Sequence, residues 1–303
     1  FANSTFRAFY IGIARTKVLT INSLVMAVVN LVLDYGLIFG NLGMPEMGMG
    51  GAALASVIAE ASSTLFFILY TRKTVDLEKY GFRRIIFRWS VVKRVLDISI
   101  YMMLQYLLSI VTWLMFFVFI ENYLGEHSLA VTNIVRSLYT IVTIPSHALG
   151  SAVNTLVSNT IGAGRKNEVL NLIRRVTMIS LGSMSAIVFA VAIIPRLVIQ
   201  IYTSDPSLIE DTVAPLYVLL SSLPFYAAGT VLYSSVSGTG NTQRALLFEI
   251  VTLLGYILYS WFIVVHLRLP VGWAWTTEHV YWFQLMLFSL FYLRSKRWMD
   301  KKI

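Results

Sequence analysis

The chain has 303 residues, of which 57% are hydrophobic and 13% are charged, and its mean hydropathy is +0.72. A soluble domain normally carries about 25% charged residues, so this composition excludes an ordinary soluble fold. Lysine and arginine outnumber aspartate and glutamate by 24 to 15, and cysteine is absent. The sequence therefore excludes disulfides and cysteine-based metal sites, and it indicates a membrane protein with several spans.

Apolar stretches of about 20 residues, separated by charged or Gly/Pro-rich connectors, predict eight membrane-spanning helices. They lie at residues 18–40, 50–71, 97–120, 128–150 with an extension toward 161, 174–194, 213–237, 243–265 and 273–293. No connector is long enough for a soluble domain. The predicted fold class is therefore an all-α polytopic membrane protein.

The basic residues predict the orientation of these helices. If the first predicted helix starts on the cytoplasmic side, 21 of the 24 basic residues lie in cytoplasmic segments. Arg196 and Arg268 fall outside, and Arg136 lies within a span. The positive-inside rule then predicts that both ends of this sequence are cytoplasmic, in a cell (inner) membrane. The excess of positive charge is explained by orientation and requires no nucleic-acid partner.

A weak internal repeat relates two parts of the chain. Residues 12–17 and 238–243 are small connectors that each lead into a span, and Pro45 and Pro270 follow those spans before a glycine. Such repeats indicate two pseudo-symmetric helix bundles, although convergence of Gly-rich connectors remains the alternative. Four predicted helices, which begin with the span at 97–120, precede the second copy. A six-helix unit therefore predicts twelve spans in all, with the first four missing from a sequence that opens at Phe1.

The same reasoning predicts the domain organisation. Residues 1–71 are expected to be the last two helices of an amino-terminal lobe, and residues 72–94 a basic cytoplasmic linker. Residues 95–303 are expected to form a carboxyl-terminal lobe of six helices.

Several motifs occur in an order that is typical of one transporter family. They are FRAFYIG at 6–12, NLVLDY at 30–35, LIFG at 37–40, MGMGGAALAS at 47–56, Leu124-Gly125 before Ala130, and IGAG at 161–164. The ordered set resembles the multidrug and toxic compound extrusion (MATE) family of secondary transporters. The block from Asn30 to Ser56 is its most specific part.

The resemblance implies a twelve-helix, two-lobed antiporter that works by alternating access. Such proteins exchange external Na⁺ or H⁺ for cationic, amphipathic compounds from the cytoplasm. The expected partners are thus small organic cations and membrane lipid, the coupling ion takes the place of a cofactor, and the complete transporter is expected to be a monomer.

Two pairs of polar residues predict a coupling site in the first two helices. Asn30 and Asp34 share a helix face, as do Ser56 and Glu60, and the two pairs match in depth at about 9 and 15 Å from the outer end. Their oxygens suit either Na⁺ or a proton held on a buried carboxyl. The resemblance places Asn30, Asp34 and Ser56 at the family's amino-lobe cation site, whereas Glu60 is added by depth alone. Hydrogen bonding between helices is the structural alternative.

The carboxyl-terminal helices carry further ionisable groups at membrane depth. Arg136 lies about 13 Å from the outer face, where an arginine needs a carboxylate, and we expect it to pair with Glu278 or Glu121. His147 and Glu249 lie toward the cytoplasmic ends of their helices and are expected to form a second pair. That pair serves either as a proton relay or as a local hydrogen bond.

Aromatic residues support two further interpretations. Trp273, Trp275, Tyr281 and Trp282 predict an interfacial belt. The segment 101–106, which contains Tyr101, Met102, Met103, Gln105 and Tyr106, suits either an adaptable cavity for flat cations or ordinary helix packing.

Other functional classes fit the sequence less well. An intramembrane enzyme is not expected, because the four histidines at 127, 147, 266 and 279 are dispersed and no HExxH motif occurs. A channel is not expected either, because the sequence shows no repeated pore loop. A lipid-linked oligosaccharide flippase shares the two-lobed architecture and is the stronger rival. Its anionic substrate would require several cavity-facing cations, whereas the spans contain mainly acids.

Overall fold

The structure is a computed structural model that describes residues 2–13, 15–82 and 87–299, without the side chain of Arg94. Every regular element within those ranges is helical, which confirms the predicted all-α class. Some predicted features lie outside the described residues. These are Ala14 in the first repeat motif, Arg83 and Arg84 in the predicted linker, and Lys301 and Lys302 near the carboxyl end.

The chain divides into two compact units, Phe1–Arg88 and Trp89–Ile303. The boundary falls inside the predicted linker of residues 72–94. The assignment of the two units to an amino-terminal and a carboxyl-terminal lobe stays a prediction.

Among its described residues, the first unit contains three helices. They are α1 (Ala2–Gly12), α2 (Lys17–Phe39) and α3 (Gly48–Thr74). Its small core forms around Tyr10, whose ring stacks on Phe67 with centroids 5.6 Å apart. Outside this core, large apolar side chains of α2 are exposed, including Leu24 and Leu31. A surface of this kind is stable in lipid, where apolar exposure carries no cost.

The second unit is a larger helical bundle. Its elements are α4 (Trp89–Gly162), a 3₁₀ turn (Lys166–Glu168), α5 (Val169–Ile193), α6 (Pro195–Gln200), α7 (Pro206–Gly238), α8 (Thr242–Ser260), a π-helical continuation of α8 (Trp261–His266), α9 (Val271–Ala274) and α10 (Thr277–Arg294).

A single glycine interrupts α4. Gly125 has φ 85° and ψ 173°, a conformation that a residue with a Cβ atom rarely adopts. The break divides α4 into two halves that correspond to the predicted spans at 97–120 and 128–150. The second half continues to Gly162, in agreement with the predicted extension toward residue 161.

Six helices in the described ranges are long and apolar enough to cross a membrane. One of them is α4, which covers two predicted spans. The helix α10 has the length of a short span, but Glu278, His279 and Gln284 lower its apolar content. The structure therefore supports several crossings, while the number eight stays a prediction.

The helix α7 is at the centre of the second unit. In its most apolar stretch 67% of the residues are buried, whereas the share is 17–39% in the other long apolar helices. A helix that is apolar on all sides needs neighbours on all sides, and α4, α5, α8 and α10 pack around α7. A buried hydroxyl links three of these helices: Ser180 Oγ lies 3.0 Å from both Ser146 Oγ and the carbonyl oxygen of Ala227.

The close crossing of α4 and α7 at Gly238 leads to a stability prediction. A Cβ atom at this position would lie 2.7 Å from the Asn154 carbonyl oxygen and 3.1 Å from its Cα. Since both contacts are with backbone, we expect Gly238→Ala to destabilise the fold by about 1–3 kcal/mol. The measurement is the midpoint of thermal unfolding in detergent.

Gly182→Ala is the matched control. No atom lies within 4 Å of a Cβ atom at Gly182, which is also helical. Alanine is expected to stabilise that helix by about 0.5–1 kcal/mol. Equal midpoints for the two variants would show that the α4–α7 crossing is not close-packed at Gly238.

Candidate functional site

The second unit encloses a cavity of about 630 Å³ between both halves of α4 and the helices α7, α8 and α10. Most of its lining is aromatic or hydroxyl-bearing. The lining residues are Tyr106, Ser109, Thr112, Trp113, Tyr139, Thr140, Thr143, Ile144, His147, Tyr226, Thr230, Tyr233, Ser234, Leu253, Tyr256, Glu278, Tyr281 and Trp282.

Aromatic rings in contact with one another form the cavity wall. Trp113 stacks on Tyr139 with ring centroids 5.9 Å apart, and Tyr226 meets the indole of Trp282 edge-on at 4.5 Å. Tyr281 lies against Trp282 at 4.8 Å. The face of an aromatic ring carries partial negative charge and attracts cations. Such a wall therefore suits a flat organic cation.

A buried carboxylate, Glu278, lies in this wall. Its side chain is 2% exposed. Tyr139 donates a hydrogen bond of 2.9 Å to Oε2, Trp282 Nε1 donates one of 3.0 Å to the same oxygen, and Tyr256 donates a longer one of 3.4 Å to Oε1. These donors come from α4, α8 and α10, so the carboxylate joins three helices.

A second buried carboxylate, Glu249, lies beside the cavity and is also 2% exposed. Its Oε1 accepts hydrogen bonds from Ser109 Oγ at 2.6 Å and from the Tyr281 hydroxyl at 2.8 Å. Its Oε2 is buried and has no hydrogen-bond partner within the described ranges. The free oxygen can accept a proton or contact a small cation, although the described residues contain no group of three acidic or histidine side chains that would hold a metal ion.

The predicted ion pairs of this unit are wrong. Arg136 is exposed and its guanidinium lies 5.1 Å from the Phe117 ring centroid, while Glu121 is exposed and Glu278 is satisfied by neutral donors. His147 lines the cavity, but Glu249 bonds to Ser109 and Tyr281 instead. The physical reason is that hydroxyl and indole groups supply hydrogen bonds to a buried carboxylate without the cost of burying a second charge.

The aromatic predictions also need correction. For Trp273, which is 55% exposed, the predicted interfacial position stays a prediction. Trp275 is 1% exposed, and Tyr281 and Trp282 bond to the two buried carboxylates. These rings therefore belong to the interior of the bundle.

The segment 101–106 is divided between several roles. Met102, Met103 and Tyr106 line a shallow surface cavity of about 390 Å³, and Tyr106 also borders the larger cavity. Gln105 is buried and bonds to Tyr233 and to the Thr242 carbonyl oxygen, which is ordinary helix packing. The Tyr101 hydroxyl accepts a hydrogen bond from Gln243.

In the first unit, the predicted coupling residues do not all come together. Glu60 accepts a hydrogen bond from Asn3 Nδ2 at 3.2 Å. The hydroxyl of Ser63 is 2.8 Å from the same nitrogen and 2.7 Å from Asn22 Nδ2. These bonds link α1, α2 and α3. Glu60 thus belongs to a polar cluster with Asn3, Asn22 and Ser63.

Among the predicted coupling residues of the first unit, Asp34 has an unusual environment. It is half-buried, and its Oδ1 is buried without a hydrogen-bond partner within the described ranges. Asn30 is half-buried one turn earlier, and Ser56 is exposed. Within those ranges no hydrogen bond joins Asn30, Asp34, Ser56 and Glu60 to one another. The site composed of these four residues stays a prediction.

Sequence reasoning missed most of the donors around the two carboxylates. One signal was available, because Tyr281 and Trp282 follow Glu278 at three and four residues and therefore share its helix face. The other donors are Ser109 and Tyr139 on α4 and Tyr256 on α8. Each lies on a different helix from the carboxylate that accepts its bond, and only the packed structure shows their position.

Comparisons with known proteins identify the family of this chain. The family model MatE matches residues 98–262, which is more than half of the chain. The probable multidrug resistance protein NorM of Thermotoga maritima is 27% identical over 227 residues, which are 74% of this chain and 48% of that protein. NorM of Photorhabdus laumondii is 24% identical over 293 residues, or 94% of this chain and 62% of that protein. These matches confirm the resemblance seen in the sequence.

A solved structure supports the fold. The outward-facing conformation of a multidrug resistance MATE family transporter of the MOP superfamily superposes with a TM-score of 0.85 at 16% identity, over 98% of this chain and 66% of that one. The chain spans about half the length of the Thermotoga relative and two thirds of the length of this structure.

The donors of Glu278 lead to a second stability prediction. Tyr139→Phe removes the 2.9 Å hydrogen bond from the tyrosine hydroxyl to the Glu278 carboxylate. It also removes the hydroxyl oxygen that Trp282 Nε1 contacts at 3.0 Å. We expect it to cost about 1–3 kcal/mol. Tyr256→Phe removes only the 3.4 Å bond and is expected to cost less. Thermal midpoints in detergent give the ranking, and the opposite order would contradict the hydrogen-bond assignment.

Proposed function

Because the chain belongs to the MatE family of membrane transporters, we propose that it acts in a cation-coupled antiporter that exports cationic, amphipathic compounds. The proposal includes alternating access, with Na⁺ or H⁺ as the coupling ion. It also includes a twelve-helix, two-lobed arrangement, which the internal repeat of the sequence supports.

The observation that carries the proposal is the chemistry of the cavity. Its wall is aromatic, and two buried carboxylates lie in it or beside it. No lysine or arginine lines it among the described residues. Aromatic faces and carboxylates both attract positive charge and neither recruits an anion.

The same geometry gives a physical basis for exchange. An organic cation in the cavity approaches Glu278, and the charge that favours the drug also favours a proton or Na⁺. Two positive charges in one low-dielectric site repel each other strongly. Binding of the coupling ion therefore weakens binding of the drug, and this negative coupling between two ligands is what antiport requires.

Asp34 is a second place where coupling can occur. Its buried and unpartnered Oδ1 leaves it able to take a proton or Na⁺. The resemblance to the family places coupling here, together with Asn30 and Ser56. We propose Asp34 for the first unit and the carboxylates Glu249 and Glu278 for the second.

The flippase alternative is not favoured. A lipid-linked oligosaccharide carries phosphate groups, which need basic side chains in the transport cavity. The basic residue predicted at depth, Arg136, is exposed and does not line the cavity. The relatives named above are described as multidrug resistance proteins.

Location and orientation complete the proposal. The apolar helices and the family make this a multi-pass membrane protein. The positive-inside rule supports a cell (inner) membrane with both ends of the chain in the cytoplasm. A monomer bound by membrane lipid is the proposed assembly.

Substitution of the buried acids tests the coupling. In everted vesicles that contain the complete gene product, an imposed Na⁺ or H⁺ gradient should drive uptake of ethidium. We expect Glu278→Gln, Glu249→Gln and Asp34→Asn to reduce the gradient-dependent rate about 5- to 150-fold, the range of coupling between two sites. Substitution of a residue that takes no part in coupling will reduce the gradient-dependent rate less. The comparison of the three variants therefore also indicates which residues couple.

Glu168→Gln is the control, because Glu168 forms an exposed surface ion pair with Arg165 that contributes little. It should leave the gradient-dependent rate unchanged. Wild-type rates in all three acid variants would place coupling outside these residues. A wild-type protein that moves no organic cation under either gradient would contradict the exporter proposal.

The aromatic wall is tested by drug binding. Trp113→Leu keeps an apolar side chain but removes a ring that faces the cavity. We expect it to weaken binding of tetraphenylphosphonium about 2- to 30-fold, as the loss of a cation–π contact implies. Isothermal titration gives the dissociation constant. Trp273→Leu, at an exposed position, should leave it unchanged, and an equal loss in both variants would contradict a role for the cavity.

A further inference from the structure

A second cavity of the carboxyl-terminal unit lies apart from the site described above. It has a volume of about 460 Å³ and lies between the beginning of α8 and the end of α10. Its lining combines two arginines with four aromatic rings and two small polar residues. These are Asn241, Arg244, Phe248, Phe288, Phe291, Tyr292, Ser295 and Arg297.

One end of this groove is positively charged. Arg244 lies in the first turn of α8 and Arg297 follows the end of α10, and both are exposed. The ion pairs within the described ranges all involve other residues. The guanidinium groups are therefore not neutralised by a carboxylate in the described part of the protein.

The start of α8 adds to this charge. Asn241 precedes the helix, but its side chain makes no capping bond and instead donates a hydrogen bond of 2.8 Å to the Tyr292 hydroxyl. The first N–H groups of α8 are thus left without a side-chain cap, and they contribute partial positive charge next to Arg244.

The other side of the groove is apolar and continues along the helix surface. Phe248 lies 5.9 Å from the rings of both Phe288 and Tyr292, and Phe291 is 66% exposed. Exposed apolar residues extend this surface along α8 at intervals of three and four, which places them on one helix face. They are Leu247, Val251, Leu254 and Leu258.

We propose that this groove binds an anionic phospholipid. Its phosphate would lie between Arg244 and Arg297, and its acyl chains would follow the aromatic wall and the exposed face of α8. The positive-inside rule predicts that these helix ends lie at the cytoplasmic surface, where anionic lipids meet basic pockets between membrane helices.

The composition of the groove distinguishes this ligand from two others. A free phosphate would use the arginines but leave the rings of Phe248, Phe288 and Phe291 without a partner. An organic cation would be repelled by two guanidinium groups, so the groove is not a second drug site. A phospholipid with a negative headgroup matches both the arginines at the charged end and the apolar side of the groove.

Native mass spectrometry of the full chain in a nonionic detergent tests the proposal without any ion gradient or drug, so its outcome is independent of the transport function. The probes are phosphatidylglycerol and phosphatidylcholine with identical acyl chains. Wild type should retain phosphatidylglycerol more tightly. We expect R244Q/R297Q to bind it about 25-fold more weakly, since each basic residue near an anionic headgroup contributes about a five-fold factor.

Two further variants separate the groove from general charge and from misfolding. R174Q/R175Q removes two exposed arginines of α5, on the same predicted side of the membrane, and should change the affinity by less than about two-fold. R244K/R297K keeps the charges and should retain most of the binding.

Four results would overturn the proposal. They are equal retention of phosphatidylcholine by wild type, unchanged binding in R244Q/R297Q, an equal loss in R174Q/R175Q, and full displacement of the lipid by an equal concentration of glycerol phosphate. The last result would identify the ligand as a phosphate group alone.

Discussion

A carboxylate inside an apolar helix bundle needs hydrogen-bond donors, and Glu278 obtains them from three different helices. Tyr139, Tyr256 and Trp282 can reach its oxygens only if α4, α8 and α10 have particular rotations about their axes. The cost of leaving such a group unsatisfied is several times the value of an ordinary contact. This requirement orients the three helices, and their aromatic rings then enclose the cavity as a consequence. Glu249 repeats the arrangement with Ser109 and Tyr281.

The contrast between the two acids is informative about function. Both oxygens of Glu278 have donors, whereas Oε2 of Glu249 has none within the described ranges. A ligand that reaches Glu278 must therefore compete with donors from three helices. An oxygen without a donor is instead free to take a proton or an ion. Of the two acids proposed for coupling, Glu249 thus offers an open acceptor, whereas Glu278 must exchange a hydrogen bond for its ligand.

The parts of this fold that depend on composition and on the spacing of apolar residues were predictable from sequence. The apolar runs gave the helices, and the ordered motifs between Phe6 and Gly164 gave the family. The pairing of polar groups was not predictable, because it depends on helix rotation and on partners more than 100 residues away. Arg136 shows the difficulty: depth along the helix was taken as burial, yet the side chain points outward over Phe117. Depth says how far a residue lies from a surface and nothing about the direction of its side chain.

The number of crossings shows a second limit. A pattern of hydropathy distinguishes two spans at 97–120 and 128–150, but it does not reveal that a single residue joins them. The motif Leu124-Gly125 does not specify the backbone angles of the glycine, and its positive φ is a property of the folded chain. The span predicted at 273–293 is divided in the structure between α9 and α10, and Glu278 in the first turn of α10 lines the cavity.

The conformation of Gly125 has a mechanical consequence for the cavity. Ser109 and Trp113 lie on one arm of the broken helix and Tyr139 and Thr143 on the other, so two backbone torsions at one residue join opposite walls. Tyr139 is about 21 Å from this swivel along its arm. A rotation of about 10° at the glycine therefore moves the ring by roughly 4 Å, more than the thickness of an aromatic ring. The distance along the arm thus magnifies a small angular change at this glycine into a displacement at the cavity wall.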